Sequence, residues 1–199
     1  MEKSFVKYLQ ERGVARNPRV AAAFRAINRG DFMLEGSLEA DIPFPIPAGQ
    51  TISQPYTVAF MLDKLEVEPG MKVLDVGSGS GWTTALLAHI VGEEGEVVGI
   101  EIKRELVKFG RKNISKYELN NAKILPAKEG ILGLPEESPF DRILVSAAAK
   151  GEAPREFIDQ LAEGGILVIP VDNRIEKITT QSKEIFEGFT FVPLQQKSF

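Results

Sequence analysis

The stretch VLDVGSGSGW (73–82) constrains the fold more than any other: an apolar run stops at an acid and breaks into three alternating glycines. An apolar run, a glycine turn and a resumed helical pattern predict a buried strand feeding a helix. Such a turn sets backbone N–H groups and the positive end of the helix dipole beside a ligand, and glycine lets that ligand approach the main chain. The spacing is G-x-G-x-G, because Trp82 stands where the third glycine of a dinucleotide fingerprint would fall. No P-loop Lys-Ser/Thr pair follows. Asp75 precedes the loop, and Glu101 ends the next apolar run, EVVGIE (96–101), placed to accept hydrogen bonds from ribose hydroxyls. Together these favour an adenosine-containing ligand without a pyrophosphate. Singly, each also fits a tight turn or a surface carboxylate.

Around this motif, strand-like and helix-like runs alternate. MKVLDV (71–76), EVVGIE, AKILPA (122–127), DRILVSA (141–147) and ILVIPV (166–171) read as strands. TTALLAHIV (83–91), KRELVKFGRKNISKY (103–117) and PREFIDQLA (154–162) read as helices. This alternation argues βαβ units and a buried parallel sheet. RIEKITTQS (174–182) and GFTFVPL (188–194) leave no room for a helix between them and predict an antiparallel pair that closes the sheet. Upstream, Phe5 and Leu9, then Val20, Phe24 and Ile27, fall at helical spacing, with Asn17-Pro18 as a helix start. IPFPIPAGQ (42–50) carries three prolines and a glycine, so it is expected to run extended over a surface. Pro55, Val58, Met61, Leu62 and Leu65 then resume a helix. The expected division is residues 1–50 as helical cap and extended loop, and 51–199 as the nucleotide-binding domain.

Composition narrows the chemistry. The 199 residues suit one globular domain, and 24 Lys and Arg against 28 Asp and Glu leave no basic surface for general nucleic-acid binding. With no cysteine and a single histidine, His89, neither a thiolate zinc site nor a Ser-His triad is expected. His89 reads as a helix-end or buried structural residue, and the phenylalanines as packing. No run reaches the 18 or so apolar residues of a membrane span, and the expected setting is the cytoplasm.

LDVGSGSGW (74–82), GIE (99–101) and FDRILVSAAA (140–149) resemble the S-adenosylmethionine-dependent methyltransferases of the Rossmann class. PIPAGQTISQP (45–55) is more specific: with IDQLAEGGILVIPV (158–171) and FVPL (191–194), it resembles the protein-L-isoaspartate (D-aspartate) O-methyltransferase family. The resemblance implies a mostly parallel seven-stranded α/β sheet with helices on both faces and an N-terminal helical cap. It implies methylation of the α-carboxyl of isoaspartyl residues in damaged proteins, with S-adenosylhomocysteine as spent cofactor, by a monomer that engages neither nucleic acid nor membrane. It assigns Ser53 to catalysis. It sets Gln50, Thr51, Ile52, Asp75, Gly77, Ser78, Gly79, Gly81, Glu101, Lys128 and Glu129 beside the cofactor, and Tyr56, Ala147 and Val192 beside the substrate. No metal is implied. The chain departs from the family at Tyr56-Thr57, where His-Met is usual, and at Lys128-Glu129-Gly130, aligned with Gly-Asp-Gly.

A carboxylate nucleophile with a pKa of about 4 is already ionised near pH 7, so a site without bases suits this reaction. Ser53 could orient the acceptor, and the N–H groups of the helix begun by Pro55 could hold the same anion. Ser53 or Gln54 could equally serve as a helix cap. A methyltransferase with another acceptor, a silent cofactor-binding relative and an NAD oxidoreductase are the competing readings, the last opposed by Trp82.

Overall fold

The structure, a computed structural model, describes residues 3–34 and 40–195. Two short helices, α1 (Lys3–Glu11) and α2 (Pro18–Ala26), bury Phe5, Val6 and Leu9, and Val20, Ala23 and Phe24. Their i, i+3 and i+4 spacing puts each set on one face. Asn17 caps α2, its side chain accepting from the Arg19 N–H at 2.9 Å, and Pro18 fills the first turn, where no N–H is needed. After a 3₁₀ turn, Arg29–Phe32, come β1 (Phe44–Ile46), β2 (Gln50–Ile52) and α3 (Pro55–Leu65).

The proline-rich stretch does more than run extended: β1 and β2 form an antiparallel ribbon with Ala48 and Gly49 at positive φ in its turn. Proline is tolerated because each strand of a two-stranded ribbon keeps an unpaired edge. In α3 the residues at helical period, Val58, Met61, Leu62 and Leu65, are all buried.

Then follow β3 (Lys72–Val76), α4 (Trp82–Val91), β4 (Glu96–Glu101), α5 (Arg104–Ile114), β5 (Ala122–Pro126) and β6 (Phe140–Val145). The chain ends with α6 (Arg155–Ile158), β7 (Leu161–Val171), β8 (Arg174–Ile178) and β9 (Lys183–Glu187). The sheet has the order β5-β4-β3-β6-β7-β8-β9, parallel from β5 to β7 and antiparallel beyond. Because β3 lies between β4 and β6, the chain leaves it in opposite directions, and ligands of open α/β sheets bind at the carboxyl end of such a switch point.

Alternation along the strands divides the core. Val73, Val97 and Val168 join a cluster with α3, α4 and the N-terminal helices; Leu74, Val98 and Leu167 join the other. Asp75, two residues beyond Val73, therefore lies on the α4 side. Phe5, Leu9 and Phe24 share that cluster with Leu86 and Ile90, so the N-terminal helices complete a core of the sheet domain.

Two elements depart from the periodicity. The helix expected over 154–162 stops at Ile158, and β7 begins at Leu161, opposite Phe140. Gln160 is drawn inside: its Oε1 accepts from the Leu134 N–H at 2.7 Å, and its Nε2 donates to the carbonyls of Leu132 and Glu156. The last strand is Lys183–Glu187, not 188–194. Thr179 closes the β8–β9 hairpin by accepting from the N–H groups of Gln181 and Ser182. Residues 188–194 leave the sheet and return to Ala148, whose N–H donates to Val192 and whose carbonyl accepts from Leu194, each at 2.8 Å.

Candidate functional site

A cleft opens at the carboxyl ends of β3, β4 and β6, with an empty space, mouth included, of ≈ 1020 Å³. Gly77, Ser78 and Gly79, with Trp82, supply one wall, and Gln50, Thr51, Ile52 and Ser53 supply another. Glu101 and Lys103 line it from the end of β4, Lys128 from beyond β5, Ala147 from beyond β6, and Val192 from the returning tail.

The glycine loop spends its main-chain donors on the protein. Gly77 and Ser78 donate to the Ile100 carbonyl at 2.8 and 3.1 Å, Gly79 donates to Glu101 Oε2 at 3.0 Å, and Gly81 donates to Ser78 at 2.8 Å. The expected ring of N–H groups facing a ligand is therefore not free. A loop tied in this way clears space for a flat ligand and is poorly equipped to hold a phosphate. Glu101, 7% exposed, accepts from Gly79 and, through Oε1, from the Lys103 N–H at 2.8 Å. Each of its oxygens keeps a second lone pair toward the cleft, suited to hydroxyl donors. Two polar atoms of cleft residues are buried without a partner among the described residues: Ser78 Oγ and Trp82 Nε1.

Asp75 lies behind this loop, fully buried and outside the cleft lining. Its Oδ2 accepts from the hydroxyls of Thr83 and Thr84, both at 2.7 Å, and its Oδ1 has no partner. Gly99 makes room: a Cβ there would lie 2.8 Å from Thr84 Oγ1 and 3.0 Å from Ser78 Cβ. Burial, opposed by the two threonine hydroxyls and aided by the Glu101 charge, pushes the Asp75 carboxyl up to about 6 from 3.8. Between those values the native state binds a proton that the unfolded chain has released, so stability falls as pH rises through this window. The buried charge then costs about 3 kcal/mol above pH 7. In Asp75→Asn the amide oxygen can still accept from both threonines, while its unpaired amide group costs about 1 kcal/mol. The variant is expected to be about 1–2 kcal/mol more stable than wild type at pH 7.5 and no more stable at pH 4, by urea denaturation at both. A pH-independent difference would show that Asp75 titrates normally in the fold.

Other expected site residues also stand off the cleft. Gly81 faces α5 rather than the cleft: a Cβ there would meet Ile124 and the Gly110 carbonyl. Glu129 is exposed and lies outside the cleft lining, whereas its neighbour Lys128 lines the cleft and pairs with Glu136 at 2.5 Å. Tyr56 lies outside the lining, its ring beneath the Arg12 guanidinium, 5.1 Å from the centroid. The start of α3 is largely occupied as well. Pro55 has no N–H, and the Tyr56 N–H donates to Asp41 Oδ1 at 2.8 Å. The cap of this helix comes from 15 residues upstream, not from Ser53 or Gln54. Ser53 is half-buried in the cleft wall, and its hydroxyl makes no hydrogen bond among the described residues. His89 is exposed in the last turn of α4.

The cleft also holds residues that motif reading passed over. Ser146 follows β6, and the rule that ligands bind beyond carboxyl ends of strands could have flagged it. Thr83 and Ile131 carry no comparable signal.

A cleft at the switch point of this sheet, with an acid at the second strand end, fits a Rossmann-like methyltransferase of class I. The family model for protein-L-isoaspartate(D-aspartate) O-methyltransferase matches residues 1–198, and the chain belongs to that family. A protein-L-isoaspartate O-methyltransferase from Pyrococcus horikoshii is 41% identical over 205 residues, covering 96% of this chain and 91% of the relative. One from Thermococcus onnurineus is 42% identical over 202 residues, covering 95% and 90%. Among solved structures, a protein of this name from Plasmodium falciparum, in complex with S-adenosyl-L-homocysteine, superposes with a TM-score of 0.87 at 31% identity, covering 98% of both chains. No described helix is long and apolar enough to cross a membrane.

Proposed function

We infer that this chain methylates the α-carboxyl of L-isoaspartyl, and D-aspartyl, residues in damaged proteins, the ester then closing to a succinimide. S-adenosylmethionine supplies the methyl group, carried on a positively charged sulfonium. The observation that carries the reading is the meeting of two walls in one cleft: the Ser53 segment on the acceptor side and the glycine loop with Glu101 on the nucleoside side.

The residues present fit that cofactor. Glu101 offers both carboxylate oxygens to a ribose diol. Ser78 and Trp82 line the same wall, each with a buried polar atom that has no partner among the described residues. Gln50, Thr51, Ile52, Gly77, Gly79 and Lys128 supply further wall. Asp75 and Gly81 act from behind, holding the loop, and Glu129 takes no part in the binding we propose.

On the acceptor side, Ser53 donates its unengaged hydroxyl to one carboxylate oxygen, leaving the other to react. Ala147 and Val192 flank the acceptor, with Val192 42% exposed at the mouth. The acceptor arrives ionised, so no side chain has to remove a proton, and fixing its orientation is worth on the order of 7–11 kcal/mol. The protein is taken to act as a cytoplasmic monomer without nucleic acid, a reading that its acidic charge balance supports.

Incubation with methyl-labelled S-adenosylmethionine and two matched peptides, one isoaspartyl and one aspartyl, tests the function. Label is expected on the isoaspartyl peptide alone. Label on neither, with S-adenosylhomocysteine still binding by calorimetry, would point to another acceptor or to a silent relative.

A further inference from the structure

We propose that Arg29 is a positioning residue for methyl transfer, its buried guanidinium setting the Ser53 segment against the glycine loop; the inference rests on Ser53 facing the acceptor. Arg29 has 0% exposure, and among the described residues no carboxylate forms an ion pair with it. Among the described residues its hydrogen bonds end on main-chain carbonyls. Nη1 donates to Ala40 at 3.1 Å, and Nη2 donates to Ile42 at 2.8 Å and to Ser53 itself at 3.0 Å. Its Cζ lies 5.4 Å from the centroid of Phe44 in β1 and 5.4 Å from that of Trp82, the cleft residue that opens α4. One rigid fork thus touches the segment before β1, the residue that carries the orienting hydroxyl and the helix that follows the glycine loop.

Burying a guanidinium against neutral main-chain carbonyls is costly, and an arginine kept there is matched by what its planar geometry fixes. Burial lowers its pKa to about 10, with Asp41 opposing the shift, so the side chain is charged at neutral pH. Its base is anchored on Tyr117, just past α5. The Asn28 N–H donates to the Tyr117 hydroxyl at 2.9 Å, that hydroxyl donates to Asp31 Oδ2 at 2.6 Å, and Phe32 stacks on the Tyr117 ring at 5.8 Å. Tyr117 follows α5, which packs on the glycine loop, so the arginine reaches the acceptor loop from a support shared with the nucleoside side. Asp41, between two of the acceptor carbonyls, holds the start of α3 through Tyr56.

A purely structural arginine would change the melting temperature and leave turnover per folded molecule alone; a positioning arginine changes turnover. The test uses the full chain with Arg29→Met and Arg29→Lys, an isoaspartyl peptide for kcat and KM, S-adenosylhomocysteine for calorimetry, and circular dichroism for the folded fraction. Arg29→Met is expected to lose about 100-fold in kcat, with cofactor affinity within about threefold, and Arg29→Lys to recover about tenfold of that loss. Wild-type kcat in a folded Arg29→Met overturns the proposal, and so does a fall in cofactor affinity as large as the fall in kcat. Should neither variant fold, Tyr117→Phe decides: it removes the hydroxyl that anchors the turn carrying Arg29 and is expected to lower kcat about tenfold with cofactor affinity within about threefold, and unchanged kcat overturns the proposal. A wild-type protein that leaves the isoaspartyl peptide unlabelled would instead overturn the reading of the site.

Discussion

Ser53→Ala is expected to lower kcat on an isoaspartyl peptide about 100-fold and to leave S-adenosylhomocysteine affinity within about threefold of wild type. The nucleophile needs no activation, so the protein's contribution is orientation, and the Ser53 hydroxyl is an unengaged donor on the acceptor wall. Deleting a half-buried hydroxyl that caps no helix should change stability by no more than about 0.5 kcal/mol, which keeps the kinetic result free of folding effects. Steady-state kinetics with calorimetry on the same preparation make the measurement. A folded variant with wild-type kcat would remove Ser53 from the mechanism.

Gly81→Val should be the most damaging single substitution in the nucleotide loop. Gly81 has φ 85°, and a Cβ there would lie 3.0 Å from Ile124 Cδ1, 3.1 Å from the Gly110 carbonyl and 3.1 Å from Ile114 Cγ2. One of these three contacts is the main chain of α5, which cannot rotate aside as the Ile124 and Ile114 side chains can. Left-handed strain contributes about 1–3 kcal/mol and overpacking about 1–3 more, and the two together are large beside the 5–15 kcal/mol of a typical domain. Gly130→Val separates the two contributions, because Gly130 also has positive φ, 75°, but nothing within 4 Å of its Cβ position. Thermal melts are expected to place Gly81→Val well below Gly130→Val, and equal melting points would show that close packing on α5 is not what requires the glycine. Any folded Gly81→Val should also lose cofactor affinity, since Ser78 and Gly79 would be displaced with it.

The helical period over Pro55–Leu65 and the acid-glycine turn after Val76 were readable because each signal lies within one element. The tail and the second half of the 154–162 stretch were not. Residues 183–187 are mostly exposed, so no alternating pattern marks them as a strand, whereas 188–194 carry the apolar pattern without the pairing. Helix propensity past Ile158 yields to Gln160, whose side chain satisfies two buried main-chain groups on the 132–134 segment and a carbonyl of α6.

The strands and helices from α3 to β6, the ligand-binding end of the sheet and the glycine-loop and Glu101 candidates follow from the sequence, because apolar period, turn residues and charge act over a few neighbours, whereas Ser53 came from the family resemblance alone. Only the tertiary structure decided that the loop donors are consumed at Ile100 and Glu101, that Asp75 and Gly81 work from behind the cleft, that Asp41 caps α3, and that Arg29 grips the Ser53 carbonyl. Each of these joins residues far apart in the chain. A hydrogen-bond partner brought close by packing leaves no mark in local periodicity.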